Sequence, residues 1–223
     1  MNDKSKEDVA LTEIGSATIW DASEHKHGGF AIRHRTIEEL RALRDGDHAI
    51  GPAYTVRMRR AAKPDPANRE GFLTAYDKAP EGAVVVVQVE NDIGGVAMGD
   101  LVAHRLAERG VAGVVIDGAI RDQVALKDIA PPSWYRYMSP AGPVSREVRV
   151  EIGTDVVIGG VVVRPGDLVV GDIDGLMVTP AEEAEEILDA ARSIVMKEAA
   201  IHERLVAKES LRSILMGIKD EAE

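Results

Sequence analysis

Two short segments carry residue types suited to binding an anion and a divalent metal ion. Gly99 and Asp100 follow one apolar run, and Arg121 and Asp122 follow the next. Helices beginning there would offer unpaired N–H groups to an anion, which Arg121 could also bind bidentately. Asp122 offers a hard oxygen ligand for Mg²⁺ or Mn²⁺, with water and substrate as further ligands. A capping Asp beside a surface Arg would give the same spacing, so both interpretations remain open.

A βαβ unit is expected to position these segments. β-Branched runs predict buried strands over 83–89 and 111–116, and helices are predicted over 101–109 and 121–128. Two strands that are joined by a helix in this order pair in parallel, so both glycine-containing turns follow the carboxyl ends of their strands. A short helix is predicted over 37–43, and the Pro-rich stretch 61–71 is predicted to be an exposed loop.

The second half predicts short strands and then one long helix. Strands over 148–152, 156–158, 161–163 and 168–170 are separated by glycines, which favours antiparallel or barrel-like β structure. Thr179 is predicted to be an N-cap, with Pro180 at the first helical position and Glu182 three residues after the cap. An apolar stripe continues that helix to Leu205.

The long helix suggests a division of the chain at residue 180. We expect residues 1–180 to form the catalytic domain. Residues 181–223 would form a C-terminal helix that packs in the same domain or on a neighbouring subunit.

Composition excludes several classes of protein. The chain has 223 residues, 27 Lys and Arg against 38 Asp and Glu, a net charge of −11 and no cysteine. Disulfides, thiolate metal sites and cysteine nucleophiles are therefore excluded. The net charge argues against nucleic acid as a partner, because phosphate contacts need clustered Lys and Arg. The apolar runs are too short to span a membrane and no signal peptide is recognised, so we expect a cytoplasmic protein.

Motifs along most of the chain resemble one known family. Asp100, twenty further residues and Arg121-Asp122 resemble the D-X20-R-D signature of class II pyruvate aldolases of the 4-hydroxy-4-methyl-2-oxoglutarate type, relatives of the RraA regulators of ribonuclease E. Three other segments are similar to family motifs: 16–22, Gly51-Pro52-Ala53-Tyr54-Thr55-Val56, and the 165–180 hairpin. The likeness covers about residues 9 to 209. The regulators tend to have Gly where this chain has Asp100.

The resemblance implies a fold, an assembly and a site. The fold would be the RraA-like α/β/β sandwich with a swivelling β/β/α core, assembled as a homotrimer or homohexamer with active sites between subunits. Gly99, Asp100, Leu101 and Val102 match the backbone loop that binds the pyruvyl carboxylate. Arg121 matches the residue that contacts the substrate carboxylate and oxo group, and Asp122 the metal ligand. Asp100 matches a second acid that positions metal-bound water.

The implied chemistry is retro-aldol cleavage of a 4-hydroxy-2-oxo acid, with oxaloacetate decarboxylation as a side activity. A metal ion that polarises the oxo group makes a Schiff-base lysine unnecessary, and Arg121 would stabilise the enolate. Metal-bound water or a neighbouring subunit's carboxylate could act as base. Glu198 is the candidate, since it lies in phase with the apolar stripe, although a solvated glutamate at its edge is equally compatible.

Two other functions remain open: a non-enzymatic RraA-type regulator that binds a ribonuclease, and a sugar-acid aldolase or dehydratase that uses the same site. Arg57, Arg59 and Arg60 could receive a second substrate carboxylate, although alternating exposure on a strand also explains Arg57 and Arg59. His25 and His27 could bind metal or affect specificity, but solvated histidines fit as well. Trp134 and Tyr135 are predicted to pack in the core.

Overall fold

The computed structural model describes residues 5–32, 35–91, 94–143 and 148–217; residues 218–223 of the predicted C-terminal segment lie outside these ranges. The strands are β1 (Thr36–Ile37), β2 (Arg41–Ala42), β3 (Ala49–Arg60), β4 (Val84–Val89), β5 (Val96–Met98), β6 (Gly113–Ile120), β7 (Ser133–Met138), β8 (Val148–Ile152), β9 (Val156–Ile158), β10 (Val161–Val163), β11 (Leu168–Gly171) and β12 (Leu176–Thr179). The helices are α1 (Ser16–His27), α2 (Gly29–Ile32), α3 (Pro66–Asp77), α4 (Asp100–Glu108), α5 (Gln123–Ile129), α6 (Ala184–Val206) and α7 (Leu211–Met216).

One mixed sheet organises the described part of the chain. Its strand order is β1-β12-β11-β3-β4-β6-β7-β2, with β5 also paired to β6 and β8 to β3. The strands β3, β4, β6 and β7 run parallel, and Val85 of β4 pairs with Val114 of β6. The predicted parallel βαβ unit is therefore confirmed, with α4 as its helix. The short strand β5, between β4 and α4, was not predicted.

Both faces of the parallel strands are buried. Val85 and Val87 of β4 face a core shared with α3, α4 and α5. Val84 and Val86 face a second core, which the antiparallel pair β9–β10 helps to cover. Side chains alternate between the faces of a strand, so a strand covered on both sides needs a continuous apolar run. The result is a helical layer, a central sheet and a small β layer.

The strands predicted for the second half are confirmed, and they are antiparallel. β9 and β10 form a hairpin, while β8 and β11 each pair with a different half of the twelve-residue strand β3. Trp134 and Tyr135 of β7 are buried, as predicted.

Two local predictions in the first half of the chain were wrong. Residues 37–43 do not form a helix; Ile37 pairs with Leu176, and Arg41 pairs with Tyr135. Sheet pairing with distant strands overrides the weak helical pattern there. Residues 66–71 are not a loop but the first turns of α3. Asp65 caps that helix by accepting a hydrogen bond from Ala67 N at 2.9 Å, and Pro66 occupies its first position.

The predicted long C-terminal helix is confirmed as α6, a helix of 23 residues. Its buried residues Ile187 and Ala191 pack in a third core with α1, β11 and β12. The predicted Thr179 cap was wrong, because Thr179 ends β12 and its buried Oγ1 atom makes no hydrogen bond. Asp167 Oδ1 instead accepts a hydrogen bond from Ala181 N at 3.1 Å. No helix within the described ranges combines the length and apolarity that crossing a membrane would require.

Candidate active site

Two neighbouring parallel strands bring the predicted site residues together. β5 ends at Met98, and Gly99 caps α4; β6 ends at Ile120, and Arg121 and Asp122 lead into α5. Met98 pairs with Ile120, and Arg121 N donates a hydrogen bond to Met98 O at 3.1 Å. The two turns are therefore adjacent, although 22 positions separate Asp100 from Asp122.

Gly99 allows the two turns to approach closely. A β-carbon on residue 99 would lie 2.8 Å from Asp122 Oδ2 and 3.1 Å from Arg121 Nε. Real β-carbons essentially never approach another heavy atom to 2.8 Å. The absence of a side chain at this position therefore leaves room for the Asp122 carboxylate beside the start of α4.

The Asp122 carboxylate lies at the N-terminus of α4. Its Oδ2 atom accepts a long hydrogen bond from Asp100 N at 3.3 Å and lies 3.2 Å from Arg121 Nε. The backbone of Asp122 is left-handed, with φ of 64°, a conformation that Asp tolerates better than most residues. The side chain of Asp122 is 37% exposed, so its carboxylate remains accessible to a ligand.

Asp100 interacts with the turn that is predicted to bind substrate. Its Oδ1 atom accepts a hydrogen bond from Leu101 N at 2.8 Å, while Ala103 N is bonded to Gly99 O within the helix. A substrate carboxylate that used Leu101 N would therefore have to displace the Asp100 carboxylate. The side chain of Leu101 is 82% exposed and that of Val102 is half-buried.

Arg121 has unused hydrogen-bonding capacity. Its Nη1 atom makes one long contact, 3.5 Å from Ala141 O. Its buried Nε atom lies near Asp122 but without the geometry of a hydrogen bond. Arg121 borders two cavities: one of about 140 Å³, which Gly99, Asp100, Leu101 and Val102 also line, and one of about 390 Å³ with Asp122 and Ser139. The smaller cavity is below the roughly 300–1,000 Å³ of typical ligand pockets, so it fits only a small ligand.

The acidic residues at this site fit a hydrated divalent cation. Within the described ranges, Asp100 and Asp122 are the acids beside Arg121, and no group of three or more His, Asp or Glu side chains there is arranged to hold a metal ion. Mg²⁺ often keeps several waters and binds one or two carboxylates plus substrate. Asp122, accessible at the edge of the larger cavity, would be the principal protein ligand.

Glu198 lies on a different part of the molecule. It is an exposed residue of α6, the helix that packs on α1, and it does not line either cavity at Arg121. Within one chain, the structure does not bring Glu198 to the other candidate site residues. Its predicted role as a base from a neighbouring subunit remains a prediction.

Two of the three arginines in the basic cluster on β3 are already paired with acids. Arg59 bonds Glu151 at 2.5 Å, and Arg57 Nε lies 3.7 Å from Glu90. The hydrogen bond from Arg59 lowers the pKa of the Glu151 carboxyl. Arg57, Arg59 and Arg60 are absent from both cavities at Arg121. His27 lies 2.9 Å from Glu183, on the α1–α6 side of the molecule.

The cavities include residues that the sequence did not single out. Arg69, Phe72 and Leu73 of α3 line the smaller cavity, and Ser139 lines the larger one. The sequence predicts a loop around Arg69, so no sequence pattern connects this residue with Arg121.

The fold and the site together define a class of protein. It is an α/β protein that places an arginine and two carboxylates at the ends of adjacent parallel strands. The model of the RraA-like family, described as Aldolase/RraA, matches residues 16–178. The chain therefore belongs to the RraA-like family, and the resemblance inferred from its motifs is confirmed. A protein of Halalkalibacterium halodurans named "Putative 4-hydroxy-4-methyl-2-oxoglutarate aldolase" is 33% identical over 153 residues, which are 69% of this chain and 70% of that protein.

Solved structures confirm the mixed α/β fold. RraAS2 of Streptomyces coelicolor, described as an unusual member of the RNase ES inhibitor RraA protein family, has a TM-score of 0.74 and 29% identity, over 87% of this chain and 95% of that one. An uncharacterized protein of Pseudomonas syringae has a TM-score of 0.77 at 23% identity, over 94% and 95% of the two chains. The second likeness bears on the fold alone.

Proposed function

We propose that this protein is a divalent-metal-dependent lyase that cleaves a 4-hydroxy-2-oxo acid to pyruvate and a second carbonyl compound, with oxaloacetate decarboxylation as a side reaction. One observation carries the proposal: the Asp122 carboxylate, the Arg121 guanidinium and the N-terminus of α4 meet at adjacent strand ends. This arrangement can bind a carboxylate and a cation side by side. The aldolase name of the H. halodurans relative supports the same reaction.

The carboxylate of the substrate would bind at the start of α4, where Leu101 N becomes free once the Asp100 side chain turns away. Arg121 would lie beside the 2-oxo group and stabilise the negative charge that develops on its oxygen. A Mg²⁺ or Mn²⁺ ion held by Asp122 would act as a Lewis acid toward that oxo group. Asp100, released from Leu101, would orient a water molecule beside Asp122.

In the cleavage step the C3–C4 bond breaks and its electron pair passes to C3, giving the pyruvate enolate. The C4 hydroxyl group loses its proton to a base and becomes the carbonyl of the second product. Protonation of C3 then yields pyruvate. We propose Glu198 of a neighbouring subunit as the base, in a homotrimer or homohexamer, because the two acids that the described part of the chain places beside Arg121 are already assigned to the cation and to water.

The direct test is pyruvate release from 4-hydroxy-4-methyl-2-oxoglutarate and from oxaloacetate with Mg²⁺ or Mn²⁺. We expect turnover that EDTA abolishes and that Asp122→Ala lowers by a factor of at least about 100. Asp128→Ala is the matched control, because Asp128 is an exposed acid of α5 outside both cavities. Equal loss in both variants, or turnover that is insensitive to EDTA, would contradict the assignment of Asp122.

A second candidate function is a regulator that binds a ribonuclease, which the likeness to the S. coelicolor inhibitor-family structure supports. One comparison distinguishes the lyase function from the regulator function. Absence of turnover of any oxo acid with any divalent metal, together with tight binding to a ribonuclease, would favour the regulator and overturn the lyase. Turnover restricted to sugar acids would indicate a third candidate function, a sugar-acid aldolase or dehydratase that uses the same site.

A further inference from the structure

Arg69 of α3 lines the small cavity that begins at Arg121 and the N-terminus of α4. The cavity of about 140 Å³ is therefore lined by an arginine from each of two separate elements. Arg121 follows β6, whereas Arg69 comes from the helix that packs across from α4.

Arg69 makes no hydrogen bond or ion pair with any residue in the described ranges. Other arginines nearby are engaged: Arg105 bonds Asp77 at 2.7 Å, and Arg109 donates to Ala79 O at 2.9 Å. A planar guanidinium group presents donors in a geometry that matches a carboxylate. Arg69 therefore offers this capacity at the cavity without an internal acid that uses it.

Most of the cavity wall is apolar. Phe72 and Leu73 contribute from α3, Met98 from β5, and Pro143 from the segment after β7. Such a wall fits the carbon skeleton of a ligand and does not attract water or a polyol. A ligand with a carboxylate at each end and carbon between them would match both arginines and the wall.

We propose that Arg69 determines specificity by binding the second carboxylate of a dicarboxylic 4-hydroxy-2-oxo acid, while Arg121 and the start of α4 hold the carboxylate of the pyruvyl end. This inference rests on the proposed lyase function and narrows its substrate class. It assigns to Arg69 of α3 the role that the sequence suggested for Arg57, Arg59 and Arg60, the binding of a second substrate carboxylate. Arg57 and Arg59 are instead paired with Glu90 and Glu151.

The kinetic test compares a dicarboxylate, 4-hydroxy-4-methyl-2-oxoglutarate, with a monocarboxylate, 4-hydroxy-2-oxopentanoate. In Arg69→Ala we expect the ratio of kcat/KM values, dicarboxylate over monocarboxylate, to fall roughly tenfold, since a charge-assisted bidentate contact is lost. Arg69→Lys keeps the positive charge but loses the paired N–H donors of the guanidinium group. Its ratio of kcat/KM values should therefore lie between those of the wild type and Arg69→Ala. Lys63→Ala removes one exposed positive charge outside the cavity and should leave the ratio within about twofold of wild type.

A binding test separates this inference from the lyase proposal. 2-Oxoglutarate has two carboxylates but no 4-hydroxyl group, so it cannot undergo retro-aldol cleavage; 2-oxobutyrate is the monocarboxylate control. Titration calorimetry with Mg²⁺ should show that Arg69→Ala weakens binding of 2-oxoglutarate much more than that of 2-oxobutyrate. Such selective weakening supports Arg69 even if the wild type cleaves no oxo acid. Equal effects on both ligands, or the same effect in Lys63→Ala, would overturn the inference even if the lyase activity is present.

Discussion

A β-carbon on Gly99 would lie 2.8 Å from Asp122 Oδ2, although the two residues belong to different turns of the chain. The shortest contacts would be with side-chain atoms of Asp122 and Arg121, and not with backbone atoms. The φ of Gly99 is −131°, a value open to any residue. A methyl group on residue 99 should therefore displace the side chains of Asp122 and Arg121 without unfolding the protein.

For Gly99→Ala we expect kcat/KM for pyruvate release to fall at least about tenfold, with a change in stability of less than about 1 kcal/mol. Kinetics and thermal unfolding of the same preparation measure both effects. Gly46→Ala is the control, because a β-carbon on Gly46 meets no atom within 4 Å. Wild-type activity in Gly99→Ala would show that the close approach of the two turns is not needed for turnover.

A site completed by a neighbouring subunit predicts complementation between inactive variants. Asp122→Ala and Glu198→Gln should each have little activity, but mixed oligomers formed by co-expression should recover activity. In a random equal mixture, about a quarter of the sites would combine an intact Asp122 with an intact Glu198 from the next subunit.

Glu203→Gln provides the control for that experiment, because Glu203 is another exposed glutamate of α6. It should retain full activity alone. If Glu198→Gln also retains full activity, or the mixed oligomers recover none, Glu198 is not the base supplied by a neighbour.

The contact of Glu183 with Arg35 predicts a pH-dependent contribution to stability. Arg35 Nη1 lies 2.8 Å from Glu183 Oε2, and His27 Nε2 lies 2.9 Å from the same atom. The hydrogen bond from Arg35, with a smaller contribution from His27, lowers the pKa of Glu183 from its ordinary value of 4.5 to about 2. The stabilisation is therefore complete above about pH 4.5 and is lost as the pH falls toward 2.

Glu183→Gln should consequently lower the free energy of unfolding at pH 7 by about 1–3 kcal/mol, and the difference from wild type should shrink between pH 4.5 and 2. Urea unfolding at several pH values measures it. Glu182→Gln, at an exposed neighbouring position, should show little difference at any pH. A difference for Glu183→Gln that stays constant with pH would contradict the proposed cause.

Asp167 should stabilise the start of the C-terminal segment. The side chain is 3% exposed; Oδ2 accepts a hydrogen bond from Arg164 N at 2.8 Å, and Oδ1 accepts one from Ala181 N. Asp167→Ala leaves both donors without this partner, so we expect a loss of about 2–4 kcal/mol in urea unfolding. Asp155→Ala, at an exposed acid 3.9 Å from Arg164, should cost under about 1 kcal/mol. Equal losses would refute the capping role.

The sequence alone determined those parts of the fold that depend on neighbouring residues. The run Val84-Val85-Val86-Val87 specifies a strand buried on both faces, and the stripe on α6 specifies a long helix. These patterns repeat within one element, so no knowledge of distant residues is needed. The same holds for the turns at Gly99 and Arg121, where an apolar run is followed by glycine or polar residues and a helix.

The tertiary structure decided what depends on residues far apart in the chain. Ile37 lies in a strand because Leu176 is there to pair with it, and Asp167 replaces Thr179 as the cap because the β11–β12 hairpin returns the chain to that point. Arg69 reaches the cavity at Arg121 only through the packing of α3 on α4. Such contacts depend on the folded path of the whole chain, and a pattern read within a single segment carries no information about it.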